Sequence, residues 1–382
     1  MRSNLDALVW RCAACLLCVP FAVATEAGAA PQGDAFACLA EDGREIIDLD
    51  GDHGYHRFHY TERADHAVFD ARGATWRFQT FPTLEQNYPI SIKGGARNGC
   101  WIGGLVQGTN PETAGWRETY DVANGAGFNF GNGQSTHGFT LDGIRIDNVW
   151  DGIRPRGNAD GFHIENVWVS GSRDDCIEND HRQTGLIEDS LFEGCHMGIS
   201  VRPGKAAKEK AQAGAAAAPA ASERVLEIRN TLISLGAHPE PNAKRSKYPW
   251  FKDPGHGMFF KLGQSDLKLK LYDNIFMLEQ YPNNDQDAWG LPPEHYADQL
   301  ADCRGNILVW LGEGDYPGPF HNDRFKDCWT VVTDRAVWER ARKDWIDRHP
   351  EVARLPGDPP SHPEEAVGLD AILESVRAGA SG

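Results

Sequence analysis

Basic side chains are scarce in this chain. Lys and Arg number 38 against 55 Asp and Glu, which leaves a net charge of -17. A nucleic-acid binder needs a basic face to displace counterions, so that class is excluded. A polyanionic ligand would have to be met by a local basic patch or a bridging cation. Long apolar runs are also missing after residue 24, and no later segment is suited to cross a bilayer. No cysteine spacing makes a zinc site. The leucine framework and helical phase that a leucine-rich repeat requires are absent as well.

What the chain does have is glycine (41 residues), 12 tryptophans and short apolar runs, a composition that favours β architecture rich in turns. Its 382 residues suffice for one large domain or two ordinary ones. Residues 1–30 read as an export signal. Arg2 and Arg11 flank the start, residues 12–24 are apolar, and small residues offer cleavage at Ala22-Val23-Ala24 or Ala27-Gly28-Ala29. A retained anchor is disfavoured because the run is short and Pro20 interrupts it. Lipid attachment at Cys15 or Cys18 is disfavoured by the residues before them. Removing the signal leaves Cys38, Cys100, Cys176, Cys195, Cys303 and Cys328, an even set that implies disulfides in a secreted or periplasmic protein. The pairing stays open.

A repeat runs along the rest. "LDGIRI" from Leu141, "IENVWV" from Ile164, "IEDSLF" from Ile187, "IRNTLI" from Ile228, "LYDNIF" from Leu271, "CRGNIL" from Cys303 and "FKDCWT" from Phe325 share one pattern. Their third positions form a column: Gly143, Asn166, Asp189, Asn230, Asp273, Gly305 and Asp327. These residue types tolerate left-handed backbone angles, so the chain bends sharply at the same point of each repeat. Spacings of 23, 23 and finally 22 residues, with β-type side chains, indicate coils of a parallel β-helix whose inner faces are buried by stacking. The expected layout is a β-helix over 31–333, with a low-complexity loop at 205–222, and a helical tail over 334–382. In the tail Asp334 caps a helix that spaces Val337, Ala341 and Trp345 on one face.

The charged stretch "SRDDCIENDHRQTG" from Ser172 sits inside this regular pattern. Successive coils contain "WDGIRPR", "DDCIENDHR" and "HMGISVRPG". With Ile153, Ile177 and Ile199 pointing inward, Asp151, Asp175 and Met197 stack. Alternation sends Arg154, Glu178 and Ser200 outward, followed by Arg156, Asp180 and Arg202. "HGMFFKLG" from His256 aligns with the third coil and puts Lys261 in the Arg202 column. The charges then line the outer face of one sheet, about 4.8 Å apart from coil to coil.

These motifs resemble the polygalacturonase-type hydrolases of the pectin-lyase fold, which pair an Asp-Gly-Ile coil, an Asp-Asp-Cys coil and a Gly-His-Gly-Ile-Ser coil with a later basic residue. The resemblance implies an all-β, right-handed parallel β-helix. It implies catalytic roles for Asp151, Asp174, Asp175 and His196, a basic role for Lys261, and a Cys176–Cys195 disulfide. The chain departs from the family at Val149-Trp150, where Asn and Thr are usual, at Met197, and at Phe259-Phe260-Lys261, where Arg-x-Lys is usual.

Two carboxyl groups suffice for glycoside hydrolysis, one as acid and one as base or nucleophile, and crowding keeps one of them protonated. Arg156, Glu178, Asp180, His181, Arg202 and Lys261 are the expected substrate-binding residues. One coil of separation is nearer the retaining spacing and the resemblance implies inversion, so stereochemistry stays open. A second reading is a lyase, in which Arg202, Lys261 or His181 supplies base or cation and Asp174, Asp175 and Asp180 hold calcium. The third is a glycan-binding β-helix without activity. Hydrolysis requires no cofactor. The expected partner is a polysaccharide, with neither nucleic acid nor membrane insertion after signal removal, and the chain is expected to be monomeric. Trp116, Trp150, Trp168 and Trp250 are candidates for stacking on sugars. "DLDGDHG" from Asp48 reads as a turn rather than a calcium loop.

Overall fold

The computed structural model describes residues 36–78, 88–111, 113–202, 224–239, 254–263, 266–280, 298–316 and 328–380. The export segment, the 205–222 insertion, Trp250 and Asp327 lie outside the described residues.

The bend column of the sequence is present. Asn166, Asp189, Asn230 and Asp273 have φ of 54, 38, 50 and 55°, and Gly143 and Gly305 have 72 and 67°. At each the chain leaves one strand and enters the next at an angle, which turns a run of short strands into a coil. Asn and Asp meet the left-handed requirement at modest cost. Gly143 has no substitute, because a Cβ there would lie 2.4 Å from the Phe36 ring.

Stacking the coils gives two parallel sheets. One has 17 strands in two ladders, joined because the strand Val68–Phe78 pairs with both Cys100–Ile102 and Leu105–Gly108. The other has seven strands: β1 (Phe58–Tyr60), β2 (Ile90–Ile92), β3 (Ala126–Phe130), β4 (Asp151–Pro155), β5 (Asp175–Glu178), β6 (Met197–Val201) and β7 (Phe260–Leu262). They neighbour one another in chain order, so this face adds one strand per coil. The architecture is a parallel β-helix. Its "DLDGDHG" segment is largely strand, within Ile46–Asp52, rather than turn.

Register explains the core. Phe58, Ile90, Phe128, Ile153, Ile177, Ile199 and Phe260 occupy one inward column of the seven-stranded sheet. All belong to or pack against a single buried cluster. At one corner a polar column is buried, and its side chains satisfy the backbone. Asn274 donates to Asn306 Oδ1 at 2.9 Å and to the Ile228 carbonyl at 3.0 Å, and its own Oδ1 accepts from the Thr231 N–H at 3.0 Å.

The tail supplies α2 (Arg335–Arg348) and α3 (Leu369–Ala380), while α1 (Trp116–Ala123) lies within the coils. Asp334 caps α2 by accepting from the Ala336 N–H at 2.9 Å. The α2 helix lies on the outside of the 17-stranded sheet. There Trp345 donates to the Asp189 carbonyl at 2.9 Å, and Arg348 pairs with the Asp189 carboxylate at 2.8 Å. Trp168 is fully buried beneath this helix, with Arg145 stacked 4.2 Å from its ring. That placement removes Trp168 from the candidate sugar platforms, and Trp150, 1% exposed, is removed likewise.

The six cysteines pair as Cys38–Cys100, Cys176–Cys195 and Cys303–Cys328. Three disulfides mark an oxidising compartment. Among the described residues no helix is long and apolar enough to cross a membrane.

Candidate active site

Strict alternation from the inward Ile153 would carry Asp151 into the core. The structure avoids this by a slip of phase. A Cβ on Gly152 would stand 2.7 Å from Val169 Cγ1, a core atom, and 2.4 Å from the Cys176 carbonyl oxygen. Gly152 and Ile153 therefore both face inward. The next coil repeats the slip with Cys176 and Ile177, Cys176 being buried and bonded to Cys195. Each pair of consecutive inward residues leaves the preceding aspartate on the outer side with Arg154 and Glu178.

There the carboxylates converge. Asp151, Asp174 and Asp175 each bring an oxygen within 4.8 Å of the others. Arg154 Nη2 donates to Asp151 Oδ2 at 2.7 Å, pairs with Glu178, and through Nη1 bonds to the Tyr88 hydroxyl. Lys261 Nζ donates to Asp175 Oδ2 at 2.8 Å and lies 3.8 Å from Asp174. The Asp175 N–H donates to Asp151 Oδ1 at 3.2 Å, which ties the two coils together through the site. Asp151 and Asp175 are 0 and 1% exposed, whereas the Asp174 side chain retains 14%. Asp174 is the member of the trio that solvent reaches.

Burial raises the Asp151 carboxyl to about 7 despite the pull of Arg154, with Asp174 pushing the same way as burial. Asp175 is raised well above the usual carboxylate range, again by burial, against the opposing pull of Lys261. Burial disfavours charge on Lys261, but Asp174, Asp175 and Asp180 more than offset it and hold the ammonium above the ordinary lysine range. The site is a crowded set of acids clamped by two cations. At neutral pH it retains a proton among the buried carboxyls.

Other expected residues sit differently. Lys261 pairs in register with Ser200, two positions before the Arg202 column in which the sequence alignment put it; it stands five positions after His256, whereas Ser200 stands four after His196. This shift brings Lys261 to Asp175 and away from the Arg202 column. Arg202 is exposed just past the end of β6 and makes no part of the carboxylate network. His196 is 2% exposed, and its ring lies 6.1 Å from that of His238. Burial, then His238 and Arg173, push its pKa well down, so the ring stays neutral, close enough to the site to feel the Lys261 charge. Asp180, expected with Asp174 and Asp175 as a calcium ligand, accepts instead from Ser200 Oγ at 2.6 Å. Arg156 is half-buried and donates to the Tyr88 hydroxyl, while burial and the neighbouring Arg154 lower its pKa. His181 is exposed beside this end of the site.

Arg154's central place, Tyr88 and His238 were not foreseen. Arg154 was legible as outward-facing, and the phase slip that aims it at Asp151 was not. Tyr88 and His238 come from connections between coils, which carry no periodic signal.

A second cluster, His163, Glu165 and Glu188, lies on the other sheet. His163 turns Nε2 to Glu188 at 2.7 Å and Nδ1 to Glu165 at 3.7 Å, so opposite nitrogens serve different carboxylates. Such a ring bridges acids and cannot offer both nitrogens to one ion. In the first cluster Arg154 and Lys261 already supply the positive charge a metal would bring.

No family model, curated protein or solved structure matches the chain.

Proposed function

We propose that this protein is a glycoside hydrolase of the polygalacturonase type within the pectin-lyase fold, cleaving a polysaccharide laid along the outer face of β1–β7. The observation that carries the reading is the convergence of Asp151, Asp174 and Asp175 within 4.8 Å on that face, two of them buried and raised, one partly open to solvent. Hydrolysis needs one carboxyl that holds a proton near neutrality and one that is ionised. The trio provides both. The proton reaches the glycosidic oxygen on the Asp174–Asp175 side, where solvent has access. Asp151, held by Arg154, activates water or attacks the sugar; either role requires the ionised form. Arg156, Arg202 and Lys261 would meet acidic or hydroxyl groups of the substrate, with Glu178 and Asp180 holding the cations in place. The substrate partner is a glycan, and the reaction as drawn takes no metal.

Elimination on a uronate is the second reading, favoured by His181. Partial burial of the ring and the nearby Arg156 lower its pKa, so an imidazole that solvent still reaches stands neutral and able to take a proton.

The test is product analysis. The mature protein is incubated with acidic and neutral glycans, with and without a calcium chelator, and products are weighed. Fragments that have gained water support hydrolysis. An unsaturated end transfers the assignment to a lyase, and intact glycan throughout leaves a binding protein. Asp175→Asn with its fold preserved should lose hydrolysis, and full activity in that variant would place the chemistry elsewhere.

A further inference from the structure

Arg154 is the most heavily engaged cation of the outer face, and the motifs give it no role. It is 8% exposed and meets three groups at once: Asp151 on its own strand, Glu178 one coil on, and Tyr88 from the connection before β2. Its guanidinium also stands 5.6 Å from the centre of the Tyr88 ring. Its Nε is buried without a hydrogen-bond partner, so the side chain is placed by its two terminal nitrogens alone. Lys261 holds Asp175 in the matching way from the opposite side. Each of the two buried carboxylates thus has its own cation, and the cations differ. A planar fork held by three partners is fixed, whereas a single ammonium is shared between Asp175 and Asp174.

Resting on the hydrolase reading, we propose that Arg154 is a positioning residue that assigns the carboxyl roles, by clamping Asp151 as the ionised member and leaving proton delivery to the Asp174–Asp175 side. In the step this implies, the acid's O–H bond breaks as the leaving oxygen gains its proton. The bond from that oxygen to the anomeric carbon breaks, water oxygen bonds to the carbon, and the water's proton passes to Asp151. A proton transfer from Asp151 back to the Asp174–Asp175 side restores the start. The charged groups that face Asp151 are Arg154, Asp174, Asp175, Lys261 and Arg156, and the Asp175 N–H donates to it. Those that face Arg154 are Asp151, Tyr88, Asp180, Asp175, Glu178, Arg156 and His181. Of the cations, Arg154 acts on Asp151 most strongly.

Two variants move the clamp in opposite directions. Arg154→Gln removes it, and Asp151 should then titrate higher by about one to three pH units. Glu178→Gln removes the carboxylate that competes for Arg154, and Asp151 should titrate lower. Arg154→Lys keeps a cation and should restore most of the wild-type position. Titration is followed without substrate by carbon NMR of the aspartate carboxyls in the full chain, each variant first shown to keep its disulfides and circular dichroism. In the pH profile of kcat/KM the acidic limb should move with Asp151, costing roughly tenfold in rate per unit at pH below it.

Opposed shifts in Arg154→Gln and Glu178→Gln support the proposal. An Asp151 titration that moves in neither variant, or an acidic limb that stays put while overall activity drops, overturns it, since a merely structural arginine would lower activity without moving the limb. If wild-type protein cleaves no glycan, the hydrolase reading fails on its own, and the substrate-free titration still decides whether Arg154 governs Asp151.

Discussion

Replacing Asp151 by Asn should make the protein more stable at alkaline pH and leave it unchanged at acidic pH. Burial lifts the Asp151 carboxyl from an ordinary 3.8 to about 7 in the folded chain. That is about three units at about 1.4 kcal/mol each, or roughly 4 kcal/mol. The sign follows from proton binding. An acid with a folded pKa above its unfolded value holds its proton more tightly in the native state. Its ionisation therefore costs nothing below about pH 4, weakens folding progressively up to about pH 7, and costs a constant amount above that. Asp175 is raised too and acts in the same direction. Surface acids work the other way: Asp65, held low by hydrogen bonds from Arg97 and Arg63, supports folding until strong acid protonates it. Asn at 151 keeps the shape and an acceptor for Arg154 but has no proton to lose. Unfolding in urea with disulfides intact, from about pH 3.5 to about pH 8.5, should give coincident stabilities at the acidic end. The variant should gain by roughly 4 kcal/mol at the alkaline end. Parallel curves across the range would refute the claim that Asp151 is a buried, raised acid, and with it the electrostatic basis of the site.

Lys261→Met strands Asp175 without its cation and should destabilise by about 3 to 5 kcal/mol at pH 8, less at pH 5, where the carboxyl is protonated; denaturation at the two pH values checks the difference. Replacing Cys176 and Cys195 together by Ser opens a link of sequence separation 19 and should cost about 3 kcal/mol, read as a lowered urea midpoint. Because Cys176 adjoins Asp175, activity on any cleaved glycan should fall by more than the loss of folded protein explains. Gly152→Ala forces a methyl against the Cys176 carbonyl and Val169, and should cost about 1 to 3 kcal/mol while displacing Asp151; unchanged stability would deny that Gly152 faces the core.

The sequence made the scaffold readable because the scaffold repeats. One column of Gly, Asn and Asp predicted one bend per coil, and all six of its described members have positive φ. Ile153, Ile177 and Ile199 could be aligned because a parallel coil buries the same position each time. The tail helix was visible in its cap and its apolar spacing. Its docking site was not, since nothing in a periodic pattern says that Trp168 will turn outward to meet Trp345.

The candidate site was half legible for a definite reason: it exists only where the repeat breaks its own rule. Two-residue alternation places the columns of Arg154, Glu178 and Ser200 correctly, but it sends Asp151 and Asp175 inward, where unpaired carboxylates could not survive. Adding one inward residue, Gly152 in one coil and Cys176 in the next, reverses the phase and sets an aspartate beside a cation already on the outer face. Gly is needed at the first position because the neighbouring coil leaves no room for a side chain. Cys suits the second because its sulfur is tied into the core through Cys195. The two-position shift that takes Lys261 from the Arg202 column to the Ser200 column acts in the same way, converting a distant lysine into the partner of Asp175. A regular β-helix with these same acids in strict alternation would bury them apart from their cations, so the irregularities at Gly152, Cys176 and Lys261 are what assemble the acid cluster.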